Sequence, residues 1–222
     1  MDIKPQLIFI PSTPRSLSTI FLRIFKNDPN VHIINEGFTL IWIEYFLLNQ
    51  NKTSFFDDPK VLKLEREIES ILNQKKTVIF KDMAWAIKCF FMDVIESWES
   101  KFNIKYMYLL RHPKPSWTSY KKLVDEEVET GRFTPEMGKF YESKDYIIKL
   151  WELYIVRKGK VIITEDLQED PPKVFKEAFE FCGLIFRKEV LEYKPLIITG
   201  ISKEEEAWIN WYGECYHLIL PF

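Results

Sequence analysis

Five short runs of apolar and β-branched residues, each about the length of one buried strand, recur along the chain with longer helical stretches between them. They are "QLIFI" (6–10), "VHIIN" (31–35), "TVIFK" (77–81), "IKYMYLL" (104–110) and "KVIIT" (160–164). Such near-continuous apolarity marks strands covered on both faces, and strands of that kind belong to parallel sheets whose crossovers are helices. Leu17, Ile20, Phe21, Ile24 and Phe25 recur at helical spacing after the first run. Further helices are expected over about 60–74, 84–98, 115–124, 144–157, 172–182 (stopped by Gly183) and 203–212. The alternation implies one α/β domain over residues 1–222, a three-layer sandwich around a mainly parallel five-stranded sheet. With 222 residues, 46% of them hydrophobic, the chain can bury such a core.

One stretch breaks the pattern. Residues 125–143, "DEEVETGRFTPEMGKFYES", are polar and interrupted by Gly131, Pro135 and Gly138. The expectation is an irregular segment, either a lid or acceptor loop or a poorly ordered insertion.

In an open parallel sheet, ligands bind in the crevice beyond the carboxyl ends of the strands, so the residues after each strand matter most. Pro11 to Thr19 follow the first strand, Asn35-Glu36-Gly37 the second and Lys81-Asp82 the third. Arg111-His112-Pro113 follow the fourth, and Thr164-Glu165-Asp166 the fifth. Cations, carboxylates and hydroxyls therefore converge on one edge of the sheet.

The segment "PSTPRSLST" (11–19) leads from strand to helix. The free amides and dipole of a helix beginning near Ser16 make an anion site, to which Ser16, Ser18 and Thr19 add hydroxyls and Arg15 a guanidinium fork. An ordinary cap would use the same residues, with Ser16 capping and Arg15 pairing a surface carboxylate. The segment has neither glycine nor lysine, and no G-x-x-x-x-G-K-[ST] match occurs, which disfavours nucleoside triphosphate hydrolysis. A second cluster, "LLRHPKPSWTSY" (109–120), places Arg111 at a strand end and Ser119 eight residues on, in the first turns of the next helix. Strand end and helix can then reach one anion, so the two clusters suggest two phosphate sites on one ligand.

Other classes are excluded or disfavoured. A formal net charge of −2 gives no electrostatic case for nucleic-acid binding. Cys89, Cys182 and Cys215, and His32, His112 and His217, are scattered without metal-ligand spacing, and a reducing compartment fits best. No signal peptide is visible in "MDIKPQ", and the longest apolar runs fall short of a bilayer span, so the expectation is a cytoplasmic protein without membrane contact. "KEEEAW" (203–208) reads as a solvated helix start, and "CYHLILPF" (215–222) as a segment buried within the chain or against a partner.

Together these motifs resemble those of sulfotransferases. "PSTPRSLST" is similar to their 5′-phosphosulfate loop, commonly P-[KR]-S-G-[ST]-[ST], and "RHPKPSWTS" to their 3′-phosphate motif. "VIITEDLQEDPPKVFKEAFEFCGL" (161–184) looks like the family's later strand, Glu-Asp-Leu, proline and helix ending in Gly-Leu. The resemblance implies a P-loop-like α/β fold and the donor 3′-phosphoadenosine 5′-phosphosulfate, with no metal. It implies that Arg15, Ser16, Ser18, Thr19 and the amides around Leu17 hold the 5′-phosphosulfate, and that Arg111 and Ser119 hold the 3′-phosphate. Leu17 stands where the family usually has glycine, so the loop must close without a positive φ there, or with strain. Met83 in "FKDMA" stands where the cytosolic branch has a histidine base. Another branch uses a glutamate after the first helix, and Glu36 in "VHIINEGFT" matches it as the base, with Asp82 in reserve. Lys81 would stabilise charge on the bridging oxygen, or pair with Asp82 or Glu165. The implied activity is sulfuryl transfer to a hydroxyl or amine of an unidentified small-molecule or peptide acceptor. The alternatives are a non-catalytic nucleotide-binding or interaction protein of the same fold and, less favoured, a small-molecule P-loop kinase.

Overall fold

The computed structural model describes residues 6–13, 16–47, 52, 54–131 and 145–191. The strands are β1 (Leu7–Ser12), β2 (Val31–Asn35), β3 (Thr77–Met83), β4 (Ile104–Leu110) and β5 (Lys160–Ile163). They form one sheet in the order β2-β3-β1-β4-β5, and every neighbouring pair is parallel. The α/β class and the mainly parallel five-stranded sheet read from the apolar runs are thus observed. All five carboxyl ends lie on one edge because all strands run the same way.

Side chains alternate between two cores, as the two-residue period of a strand requires. Leu7, Phe9, Val78, Phe80, Tyr106 and Tyr108 face one core, while Ile8, Ile10, Ile79, Met107 and Leu109 face the other. On the second side lie α1 (Ser18–Lys26) and α9 (Pro171–Phe181), where Phe21 stacks on Phe175 at 5.2 Å and Phe25 on Phe179 at 4.4 Å. The first side is covered by α2 (Gly37–Leu47), α3 (Pro59–Asn73), α4 (Ala84–Phe90), α5 (Met92–Lys101), α6 (Pro113–Glu129) and α7 (Asp145–Val156). Each buried aromatic of these layers contributes roughly 1.5–3 kcal/mol through burial.

Several boundaries differ from the sequence reading. β3 runs two residues beyond 77–81, which carries Asp82 and Met83 into the sheet. The stretch 84–98 is two helices meeting at Phe91, whose fully buried ring stacks on Phe38 at 4.4 Å. Two helices were not anticipated, α2 and the short α8 (Thr164–Glu169) directly after β5. α6 continues to Glu129, so residues 125–129 of the expected irregular stretch are helical. The rest of that stretch beyond Gly131, the expected helix at 203–212 and the apolar end of the chain lie outside the described residues. Among the described residues, no helix is long and apolar enough to cross a membrane.

Candidate functional site

The carboxyl edge of the sheet holds an unusual density of enclosed polar side chains. Ser12, Lys81, Asp82 and Thr164 have no exposed surface, and Thr13, Ser16, Ser18, Glu36 and Thr39 are also buried. Buried polar groups of this kind persist only when they are paired, so their partners define what the edge can do.

Lys81 and Glu36 form the centre. The parallel register sets Asn35 of β2 beside Lys81 of β3, which brings Glu36 at the end of β2 onto the same lysine. Lys81 Nζ donates to Glu36 Oε1 at 2.5 Å, and Met83 Sδ lies 3.9 Å from it. The Glu36 amide donates to the Lys81 carbonyl at 2.7 Å, and the Glu36 carbonyl accepts from Leu40 of α2 at 2.8 Å. Gly37 then opens the helix. A Cβ there would sit 3.1 Å from Leu64 and 3.2 Å from the Phe80 ring, so only glycine fits without displacing its neighbours.

Asp82 holds the start of the same helix from the neighbouring strand. Its carboxylate accepts from the Phe38 amide at 2.6 Å, from the Thr39 amide at 3.2 Å and 3.3 Å, and from Thr39 Oγ1 at 2.5 Å. The Met83 amide adds a further bond at 2.7 Å. A carboxylate against the first free amides also complements the helix dipole. Burial pushes the Asp82 carboxyl up to about 6; the Thr39 hydroxyl and the Lys81 charge oppose this, and the Glu36 charge adds to it.

The β1–α1 segment enters the same edge. α1 begins at Ser18 behind Leu17, whose side chain cannot accept from the first helical amides. Ser16 does not serve as the cap: its Oγ donates back to the Thr13 carbonyl at 2.8 Å. The Ser16 carbonyl in turn accepts from Thr164 Oγ1 at 3.1 Å, which ties the segment to the end of β5. The positive end of a nine-residue helix is suited to an anion. Ser18 is buried and Thr19 partly so; Arg15 lies outside the described residues. The β4–α6 turn joins from the other side through the His112 amide, which donates to Glu165 Oε1 at 3.1 Å. Arg111 directly follows β4 and Ser119 lies in the second turn of α6, both partly exposed.

Three non-glycine residues among those described have positive φ: Leu17 (56°), Glu36 (58°) and Lys75 (60°). Lys75 has an ordinary cause, since it ends α3 where left-handed residues commonly close helices. Leu17 and Glu36 instead precede helices at the carboxyl edge. The loop therefore closes through the left-handed conformation at Leu17, at a cost on the order of 1–2 kcal/mol relative to glycine. Backbone strain of this kind, held in place by surrounding bonds, gathers where a site needs a fixed geometry.

The sequence marks Glu36, Lys81 and Asp82, and places Thr164 at the same edge without a partner, but does not mark Thr39. Thr39 carried a usable signal, a hydroxyl three residues after Glu36 at a helix start. Thr164's place after the fifth strand is legible, but its partner, 148 residues away, is not. Lys81 pairs with Glu36, whereas Glu165 bonds the β4–α6 turn. Among the described residues, no group of three or more His, Cys, Asp or Glu is placed to hold a metal ion.

No protein-family model and no curated protein matches the sequence. Solved structures do. The sulfotransferase domain from the curacin biosynthetic pathway is similar over 88% of this chain and 80% of its own, with a TM-score of 0.58 and 21% identity. The sulfotransferase domain from the Synechococcus PCC 7002 olefin synthase is similar over 98% and 97%, with a TM-score of 0.54 and 16% identity. A sulfotransferase from Alicyclobacillus acidocaldarius is similar over 95% and 92%, with a TM-score of 0.53 and 14% identity. The parallel sheet, its strand order and this likeness over most of the chain lead to one conclusion: the protein has the sulfotransferase fold.

Proposed function

We propose that the protein transfers a sulfuryl group from 3′-phosphoadenosine 5′-phosphosulfate to a hydroxyl or amine, with Glu36 as the base. The observation that carries this reading is the buried Glu36–Lys81 pair, 2.5 Å apart at the carboxyl edge where α1 also begins. A sulfotransferase fold with a carboxylate held at that edge has the parts that proton removal and anion binding require.

Exposure supports this division of roles. Asp82 is fully enclosed and both its oxygens accept bonds from α2, so it is poorly suited to taking a proton from an acceptor. Lys81 is fully enclosed too, whereas Glu36 keeps 7% of its surface exposed and is the member that meets an acceptor. In the proposed step the acceptor oxygen or nitrogen forms a bond to sulfur as the bond from sulfur to the 5′-phosphate oxygen breaks. Glu36 takes the acceptor's proton, and the 3′,5′-bisphosphate leaves with the bonding electrons. Lys81 orients the Glu36 carboxylate. The amides behind Leu17, with Ser16, Ser18, Thr19 and Arg15, would hold the 5′ end of the donor, and Arg111 with Ser119 the 3′-phosphate. The donor supplies an activated sulfuryl group, so positioning and charge stabilisation are what the chain contributes.

Two measurements test this. Thermal shift should be larger with adenosine 3′,5′-bisphosphate than with ADP or with ATP and magnesium, because a ligand of the folded state raises stability in proportion to how tightly it binds. Glu36→Gln should keep bisphosphate affinity while lowering sulfuryl transfer by roughly 10²–10⁴-fold, measured with labelled donor against phenols, sugars and amines. A preference for ATP with magnesium, or a Glu36→Gln protein that transfers at the normal rate, overturns the reading.

A further inference from the structure

The Asp82 carboxylate accepts bonds from Phe38, Thr39 and Met83, yet sulfuryl transfer as proposed above assigns it no contact with either substrate. We propose that Asp82 is a positioning residue, whose carboxylate clamps the first turn of α2 and thereby holds Glu36 in its left-handed conformation against Lys81. The inference rests on the reading of Glu36 as the base.

The geometry is a clasp closed from both sides. Lys81 holds Glu36 twice, through its carbonyl to the Glu36 amide at 2.7 Å and through Nζ to the carboxylate at 2.5 Å. The next residue of the same strand, Asp82, holds Phe38 and Thr39, the second and third residues after Glu36. Consecutive residues of a strand point to opposite faces, so Lys81 and Asp82 can grip the turn from two directions at once. The grip has a task, because Glu36 sits at φ 58°, a conformation a non-glycine residue keeps only when its surroundings impose it. Without Asp82, the amides of Phe38 and Thr39 lose their acceptor and the turn can relax toward ordinary dihedrals. The carboxylate of Glu36 would then leave its place by an ångström or so, a displacement that costs on the order of 10²-fold in rate.

Asp82→Asn is compared with wild type in the full chain by three readouts. Amide hydrogen exchange followed by NMR should show protection of the Glu36, Phe38 and Thr39 amides falling by at least about tenfold, with the β1 and β4 amides unchanged. Sulfuryl transfer should fall by roughly 10–100-fold in kcat, with bisphosphate affinity within about twofold of wild type. In the Glu36→Gln background the same change should lower the residual rate by less than about threefold, because the two residues act as a unit. Thr39→Val, which removes one bond from the clamp, should move each readout the same way by less, and serves if Asp82→Asn does not fold. Unchanged exchange at Glu36, or equal losses with and without the Glu36 carboxylate, overturns the inference. If the unmutated protein transfers to no acceptor, the catalytic reading fails, and the exchange measurement still decides whether Asp82 holds Glu36.

Discussion

Removing the Glu36 carboxylate should strand a buried charge. Lys81 has no exposed surface, and among the described residues its ammonium has one carboxylate in bonding contact, Glu36 at 2.5 Å. Glu36→Ala keeps both backbone bonds of residue 36 and keeps a non-glycine residue at φ 58°, so the change is confined to the side chain. Breaking a buried ion pair from one side typically costs about 3–5 kcal/mol, most of it the desolvated partner. For a chain of 222 residues each kcal/mol lowers Tm by roughly 2–4 °C, so the variant should melt about 6–20 °C below wild type. Lys81→Met in the same background removes the stranded charge at similar volume and should recover more than about half of the loss. The assay is thermal and urea unfolding of wild type, both single variants and the double, read as a double-mutant cycle. If Glu36→Ala melts within about 2 °C of wild type, or Lys81→Met restores nothing, the pair does not hold the edge together.

Three further outcomes follow from the geometry. Leu17→Gly should be more stable than Leu17→Ala by about 1 kcal/mol, because both lose the leucine side chain and only glycine relieves the left-handed strain; equal urea midpoints would show that φ 56° costs nothing here. Asp82 carries a carboxyl raised from 3.8 to about 6, so the folded state binds its proton more readily than the unfolded state. Asp82's contribution to stability should therefore rise as pH falls from about 6 toward 3.8, and the difference in unfolding free energy between wild type and Asp82→Asn should slope that way; parallel curves refute it. Arg111→Ala should weaken adenosine 3′,5′-bisphosphate by about 1.5–3 kcal/mol in calorimetry and leave ADP nearly unchanged, whereas equal losses for both nucleotides would make Arg111 structural.

What could be read from the sequence was local. The two-residue alternation of "LIFIPS" already assigns Leu7 and Phe9 to one face and Ile8 and Ile10 to the other, because a strand offers no other choice. α3 and α9 were legible for the same reason in helical period, each with proline at its start and an aspartate capping it. α2 was not, since "GFTLIWIEYFL" is apolar all round and has no stripe to betray a helix. The motif residues could be picked out by type, and their place after strands predicted a common edge. Their pairing could not be predicted. Glu36 meets Lys81 across 45 positions and Thr39 meets Asp82 across 43, because β1 is central and β2 lies beyond β3. That order is chosen by how helices cover the two faces, and no local propensity encodes it. The left-handed turns at Leu17 and Glu36 belong to the same class: neither residue type favours φ near +57°, and only the bonds from neighbouring strands and the packed helices hold them there.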